Sequence, residues 1–519
     1  MRKALRSNPQ RMPKSVTQQV PFPVKGWASE ESPMEAEEGT ALILDNWFPE
    51  AEGGRLRRGY ADHATGMSAD INTLLVYTSA SASKMFAANG ANIYDVSSAG
   101  AVGAAAVSGL TSDKWQDTMF ATTGGQYMVI ANGSDSVRNY DGSSWSTPAI
   151  TNVTSSTLIH VAVHKSRLWF VQSGTADLWY LPTLNVAGAA TKFPLGGLLD
   201  KGGYIMACGT WSVDAGSGMD DLFWAWSSEG QIIIYQGTDP ASSWALVGVY
   251  DIGKPIGRRC TFAVGGDVAL MSDDGILPIS TVMKTDRAVI SEKAMTKRIR
   301  QAWVDSTLRG RSTFGWQIIS HPVRNMAIVN IPATGSYPVY QYVMNTITGA
   351  WCRFYGMNAL CWAHFNNEIY FGAGDGTVYK ADTGGTDDGG AITGVILPAY
   401  MHLSARGRLK HVKMAQALYT TDVVAPSPRV EIAVDYELPV DIASGTVASG
   451  DFFTWDVSQW DGPDIWFGYT VQSDWSGSGN IGTVISLYTT LVLDATEADP
   501  NYKYRLTGWG IIYEVGGVL

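Results

Sequence analysis

The stretch Met85-Phe86-Ala87-Ala88-Asn89-Gly90-Ala91-Asn92-Ile93-Tyr94 decides the fold. An apolar strand runs into small residues, an Asn-Gly turn, and a second strand ending in an aromatic. Asn-Gly between apolar runs is the strongest local hairpin signal, because the mirror-image turn needs positive φ at both central residues. The unit returns as Met128-Val129-Ile130-Ala131-Asn132-Gly133. It returns as Phe223-Trp224-Ala225-Trp226-Ser227-Ser228-Glu229-Gly230, ahead of Ile232-Ile233-Ile234-Tyr235. Two more copies are Ala269-Leu270-Met271-Ser272-Asp273-Asp274-Gly275 and Ile369-Tyr370-Phe371-Gly372-Ala373-Gly374-Asp375-Gly376, and looser ones occupy 168–180 and 326–342. A recurrence of roughly 40–60 residues is that of propeller blades, where each four-stranded sheet buries its faces against its neighbours. The expected fold is all-β: a β-propeller of six or seven blades between about 70 and 385, with one of the seven units free to belong to a flanking domain.

The flanks read differently. Residues 1–30 are basic, Pro-containing and aperiodic, an extended N-terminal arm that is either a solvated tail or a docking segment. Residues 31–69 form a platform-type β segment, with one strand at 41–49 and a basic-edged one at 55–60. Gly384-Gly385-Thr386-Asp387-Asp388-Gly389-Gly390 is a linker. Period-two runs at 430–436 and 485–491, and a last strand at 509–515, place an additional antiparallel β-domain over 391–519. The clearest helical pattern is 291–308, with Ser291 as its cap and Met295, Ile299, Ala302 and Trp303 on one face.

At 519 residues the chain exceeds one ordinary core, and 45% hydrophobic with 16% charged residues is the composition of a folded soluble protein. A net charge of −11 argues against a dedicated nucleic-acid binder and suits a surface along which DNA slides without sticking. No apolar run reaches the length of a membrane helix, and no stable membrane insertion is expected. The basic N-terminus lacks the apolar stretch of a secretory signal. Cys208, Cys260, Cys352 and Cys361 have neither CxxC nor metal spacing and read as buried thiols.

Candidate chemistry is sparse. Asp273-Asp274-Gly275 and Asp387-Asp388-Gly389-Gly390 lack the alternating acids of a calcium loop. Asn139–Trp145 resembles the Asp-containing turn of sialidase propellers, a structural feature there. His160 and His164 share a strand face about 13 Å apart, too far to share a metal. Glu229, Asp273 and Asp375 sit at hairpin turns rather than on tunnel-facing strands, where a propeller glycosidase would place its acids. No catalytic, metal or cofactor residue is therefore assigned. Trp455, Trp460, Trp466 and Trp475 suit a core, a subunit interface or glycan contact. The clusters Arg57, Arg58 and Arg406, Arg408, Lys410 are solvated faces or ion-pairing ring contacts.

Several strings resemble the tail nozzle proteins of short-tailed bacteriophages, also called tail tubular protein B or tail hub and stabilisation proteins. They are Leu44-Asp45-Asn46-Trp47-Phe48-Pro49, Arg55-Leu56-Arg57-Arg58-Gly59-Tyr60, Ile256-Gly257-Arg258-Arg259-Cys260, the run Val343-Met344-Asn345-Thr346-Ile347-Thr348-Gly349-Ala350-Trp351-Cys352-Arg353-Phe354, and Ser404-Ala405-Arg406-Gly407-Arg408-Leu409-Lys410. The match covers roughly 21–420 and fades beyond it. The resemblance implies a non-enzymatic hexameric ring in the virion tail, assembled in the host cytoplasm. It would lie below the adaptor and portal, beside tail fibre or tailspike proteins, around a channel for genomic DNA that it does not bind specifically. Interface candidates on this reading are Trp47, Arg57, Arg58, Tyr60, Arg406, Arg408, Lys410, Trp455 and Trp460. The rivals are a receptor-binding adhesin and a propeller glycosidase acting on bacterial polysaccharide.

Overall fold

The computed structural model describes residues 15–29, 32–212, 221–403, 406–421, 428–437, 470–472, 475–493 and 503–518. The chain divides into two compact units. One comprises 58–349 and 353–389; the other comprises 1–57, 350–352 and 390–519.

The first unit is the propeller. Seven antiparallel meanders follow one another along the chain, some of them extended by further strands. Blade 1 holds Ile71–Thr78, Ser83–Asn89 and Asn92–Asp95. Blade 2 begins with Gln116–Thr122 and Gly125–Ala131, blade 3 with Leu158–His164 and Arg167–Gln172, and blade 4 with Ile205–Trp211 and Leu222–Ser227. Blade 5 holds Thr261–Val264, Asp267–Ser272 and Gly275–Pro278. Blade 6 begins with Gln317–His321 and Met326–Ile331, and blade 7 with Ala359–Phe365 and Glu368–Ala373. The seven hairpin units of the sequence map one to one onto the second strands of the seven blades and the turns after them.

Those second strands are apolar on both faces because both faces are covered. Met128 and Ile130 point into a core shared with Leu75, Phe86 and Trp115 of the preceding blade and its connection. Val129 and Ala131 point the other way, against Leu158, Leu168 and Phe170. One blade on, Trp169 and Val171 join Phe223, Ala225 and Ile233. Strand alternation thus sends odd and even residues to different neighbours, and each blade is held by the next.

The ring closes non-locally. Tyr60–Thr65 pairs with Val378–Ala381 and completes blade 7, with Tyr60 opposite Ala381. Blade 7 then packs on blade 1, where Ile71, Met85 and Ala87 meet Cys361, Ala363 and Phe365. The propeller therefore starts near 58 rather than 70, and the expected 31–69 segment divides between the two units. The 384–390 segment is more than a linker: Gly59 donates to Gly384, Tyr60 to Thr386 and Asp388 to Tyr60, all through the backbone.

The expected helix at 291–308 is shorter and later. Three-ten turns occupy Arg287–Lys293 and Lys297–Ile299, and the α-helix is Arg300–Gly310. Ser291 caps nothing; Asp286 caps the first turn by accepting from Ala288. Met295 and Thr296 are tied down instead, since Met295 N donates to Ile276 O and Thr296 Oγ1 accepts from Ile276 N. Of the expected apolar face, Ile299 and Trp303 are buried while Met295 and Ala302 are half-buried, and Trp303 donates to Ser272 O at 2.9 Å.

The second unit is built from long antiparallel strands in two sheets. Ser15–Pro21 pairs along Tyr504–Val518, which also pairs along Arg408–Thr421. Ser15–Pro21 of the N-terminal segment is thus a docked strand. The other sheet takes Ala41–Asp45, Ile392–Pro398, Ile485–Leu493 and Arg429–Val434 in that order. Trp509 bridges the sheets, donating to Thr489 Oγ1 at 2.8 Å and stacking on Phe22.

Candidate functional site

The centre of the propeller is polar, and it is built from residues that lie far apart in sequence. Arg259 sits just before the first strand of blade 5 and reaches across the axis. Its Nη2 donates to Asn72 O at 3.1 Å and Thr73 Oγ1 at 2.7 Å in blade 1, and to Trp115 O at 3.2 Å. Its Nη1 donates to Gln317 Oε1 in blade 6 at 3.3 Å, and the guanidinium stands 4.9 Å from the Phe314 ring centre. One planar fork thus ties three blades together, a task to which lysine's point charge is unsuited. Arg258 beside it donates to Asn132 O of blade 2 at 3.2 Å. Burial pulls both guanidinium groups below their ordinary pKa.

Asp117, on the first strand of blade 2, has an exposed side chain yet is surrounded by protein atoms. That desolvation pushes its pKa up to about 6, against the opposing pull of Arg259.

Other polar side chains clip adjacent blades. His160 Nε2 meets Cys208 O at 3.0 Å and His164 Nδ1 meets Thr210 Oγ1 at 2.9 Å, joining blade 3 to blade 4. Burial lowers both imidazoles to about 4. Gln317 Nε2 donates to Trp362 O, and Asn330 Nδ2 to Gly315 O and Ala359 O, joining blade 6 to blade 7. The two histidines are therefore structural clips to separate partners.

On one side of this centre lies a cavity of about 570 Å³. Lys114, Lys254, Arg258 and Arg311 line it, and Glu229 is its one lining carboxylate. Lys254 pairs with Glu229 at 2.5 Å, and Arg311 with Asp273 at 3.5 Å. Lys114 Nζ stands 5.0 Å from the Phe314 ring centre. Five serine or threonine residues share the wall.

The remaining sequence candidates fall as follows. Asp141 accepts from Ser143 N and Ser144 N, which hold its carboxyl down at about 2; the turn is self-capped. Asp375 caps its own turn through Thr377 N and accepts from Tyr379 Oη. The four cysteines are buried and unbridged, and desolvation lifts Cys361 to about 11 and Cys260 to about 12.

Among the interface candidates, three side chains are taken up by the chain's own interior. Trp47 is fully buried against Tyr504. Arg57 is 2% exposed and donates to Asn46 Oδ1 at 2.8 Å, holding the positive-φ Asn46 corner. Lys410 is 0% exposed and donates to the carbonyls of Arg408 and Thr483. Arg58 and Tyr60 are half-buried, and Tyr60 packs edge-on against Phe371 and Tyr379. Arg406 and Arg408 are exposed, with Arg408 donating to Gly516 O. Trp455, Trp460 and Trp466 lie outside the described residues; Trp475 is exposed.

No family model matches the chain, and no curated protein does. Among solved structures it is similar to the computationally designed Ika8 protein, at 13% identity over 62% of this chain and 99% of that one, with a TM-score of 0.36. It is also similar to the WD40 β-propeller domain of Doa1, at 11% identity over 62% of this chain and 96% of that one, with a TM-score of 0.38. Raptor of Chaetomium thermophilum follows at 11% identity, 63% and 29% coverage, and a TM-score of 0.37.

Proposed function

We propose that the chain is a non-enzymatic structural subunit of the tail nozzle of a short-tailed bacteriophage, assembled as a homomeric hexamer around a DNA channel. What supports this reading is where the nozzle-like strings fall. Leu44–Pro49 and Arg55–Tyr60 contain the Asn46–Arg57 corner and the start of the ring-closing strand. The Ile256–Cys260 string contains the arginine pair that crosses the propeller axis. The 343–354 string contains Asn345, whose side chain accepts from Ile347 N and Thr348 N in the turn that follows. Strings that coincide with fold-fixing positions suit a component whose role is mechanical: a stiff wall made of sheets.

In the assembled ring, acidic side chains line the lumen, where like charge keeps DNA free of the counterion-release attraction of a basic wall. The neighbours are the adaptor-side ring and tail fibres or tailspikes, and the place is the virion tail. Of the charged interface candidates, Arg406 and Arg408 are the ones exposed for contact. The test is genetic. Particles assembled without this chain should package DNA and then lose it, and R406E should weaken ring assembly while leaving the chain folded. Normal retention and ejection by particles lacking the chain would sink the proposal.

A further inference from the structure

The axial cavity has no part in the nozzle reading and stands independently of it. We propose that it is a binding site for a small ligand bearing a carboxylate or phosphate group, anchored on Arg258 with Lys114, Lys254 and Arg311 around it.

The argument begins with charge. Four cations line one concavity against a single lining carboxylate, in a chain whose net charge is −11. Two of the cations are satisfied within the chain, through Glu229 and Asp273. Lys114 and Arg258 have no carboxylate within ion-pairing distance among the described residues. An arginine carries five N–H donors, and Arg258 makes one described hydrogen bond, to Asn132 O. It lines the cavity, so its other donors are available there.

A half-buried guanidinium with no counter-charge is costly to hold, and an anion docking on it recovers that cost. The base is also rigid. Arg258 is followed by Arg259, whose four hydrogen bonds fix it to blades 1 and 6 and to Trp115. A preorganised donor loses little freedom on binding.

Size and lining define the ligand. A volume of about 570 Å³ is that of a small-molecule pocket. The serine and threonine hydroxyls on the wall supply neutral hydrogen bonds for the rest of the molecule, as a hydroxylated ligand such as a uronic acid or a sugar phosphate requires.

The test titrates the full chain at low ionic strength with inorganic phosphate, glucuronate and glucose, read by isothermal calorimetry and by melting temperature. One or both anions should bind saturably and glucose should not; which anion binds identifies the headgroup. R258Q should weaken binding about tenfold or more, the worth of a charge-assisted hydrogen-bond pair. K114Q, an exposed rim change that leaves the fold intact, should weaken it severalfold and decides the matter should R258Q fail to fold. R300Q, an exposed change in the Glu292 ion-pair cluster, should leave binding unchanged. The proposal is overturned by the absence of saturable anion binding, by equal response to glucose, or by binding that both R258Q and K114Q leave intact.

Discussion

The two units are both antiparallel β-structure, yet they solve the problem of closing a sheet in opposite ways. Among the described residues of the propeller, most blade strands pair with their sequence neighbours, while Tyr60–Thr65 travels far to complete a blade. In the other unit the central strand, Tyr504–Val518, pairs with Ser15–Pro21 at the opposite end of the chain; Ser15 Oγ bonds Glu514 across 499 residues. Local pairing incurs little loop-closure entropy per contact and repeats easily, whereas long-range pairing must be held by a few large side chains.

That contrast is sharpened most by tryptophan truncation. W509A removes the side chain bridging the two sheets of the long-strand unit, and W303A removes the helix anchor of the propeller. Each is essentially fully buried, and each should cost about 3–5 kcal/mol in denaturant melts. W509A should also free Ser15–Pro21 to faster hydrogen exchange, which W303A should not. Equal exchange in both variants would break the comparison.

The next effect concerns the axis. R259A removes the donor to the carbonyls of Asn72 and Trp115, to Thr73 Oγ1 and to Gln317 Oε1, and should destabilise the propeller by about 3 kcal/mol. R259K should rescue little of it, because one ammonium cannot reach three blades. Full rescue by lysine would show that charge alone suffices there.

Acid titration gives a smaller, signed effect. The histidine clips have pKa values of about 4 against an ordinary value of 6.5, so the unfolded chain binds more protons between those limits. Their contribution is fully present above pH 6.5 and is lost as pH falls toward 4. Asp117 works in the opposite sense. Its folded pKa of about 6 exceeds its ordinary 3.8, so it favours folding at low pH and that contribution is lost as pH rises through 6. D117N should therefore stabilise the protein above pH 6, with the advantage shrinking below it. H160Q should flatten the acid limb. Stability measured across pH 4–8 checks both.

The smallest effect is at the surface. Lys84 and Asp95 form an exposed 2.8 Å ion pair across adjacent strands of blade 1. K84M should change stability by no more than about 0.5 kcal/mol, and less in high salt. A larger loss would mean that blade-level ion pairs matter more than the shared cores.

How much of this was legible in the sequence follows the same divide. The blade hairpins could be read because the signal is local: Asn89-Gly90 and Asp375-Gly376 carry their turn chemistry within a few residues, and Gly90 and Gly376 both take positive φ. The ring-closing role of Tyr60–Thr65 could not, since no local pattern distinguishes a strand that pairs with Val378–Ala381 from any other. The helix boundary lies later than the pattern suggests because Ser291 suits a cap by type, while Met295 and Thr296 are held by Ile276 in space. The axial centre was invisible for the deepest reason. Arg258-Arg259 stands in a family-like string, but Asn72, Trp115, Asn132 and Gln317 become its partners only once the blades close. Trp47, Arg57 and Lys410 show the converse: residue type suggested a surface, and packing placed them inside.

The central claim is that six copies of this chain form a ring in a phage tail. Counting its copies in purified particles, with an averaged image of the tail, tests it most directly. The account predicts six copies per particle in a six-fold ring around an open channel, with a mass of six times 55.9 kDa once released intact. A monomer or a trimer in intact particles would contradict it.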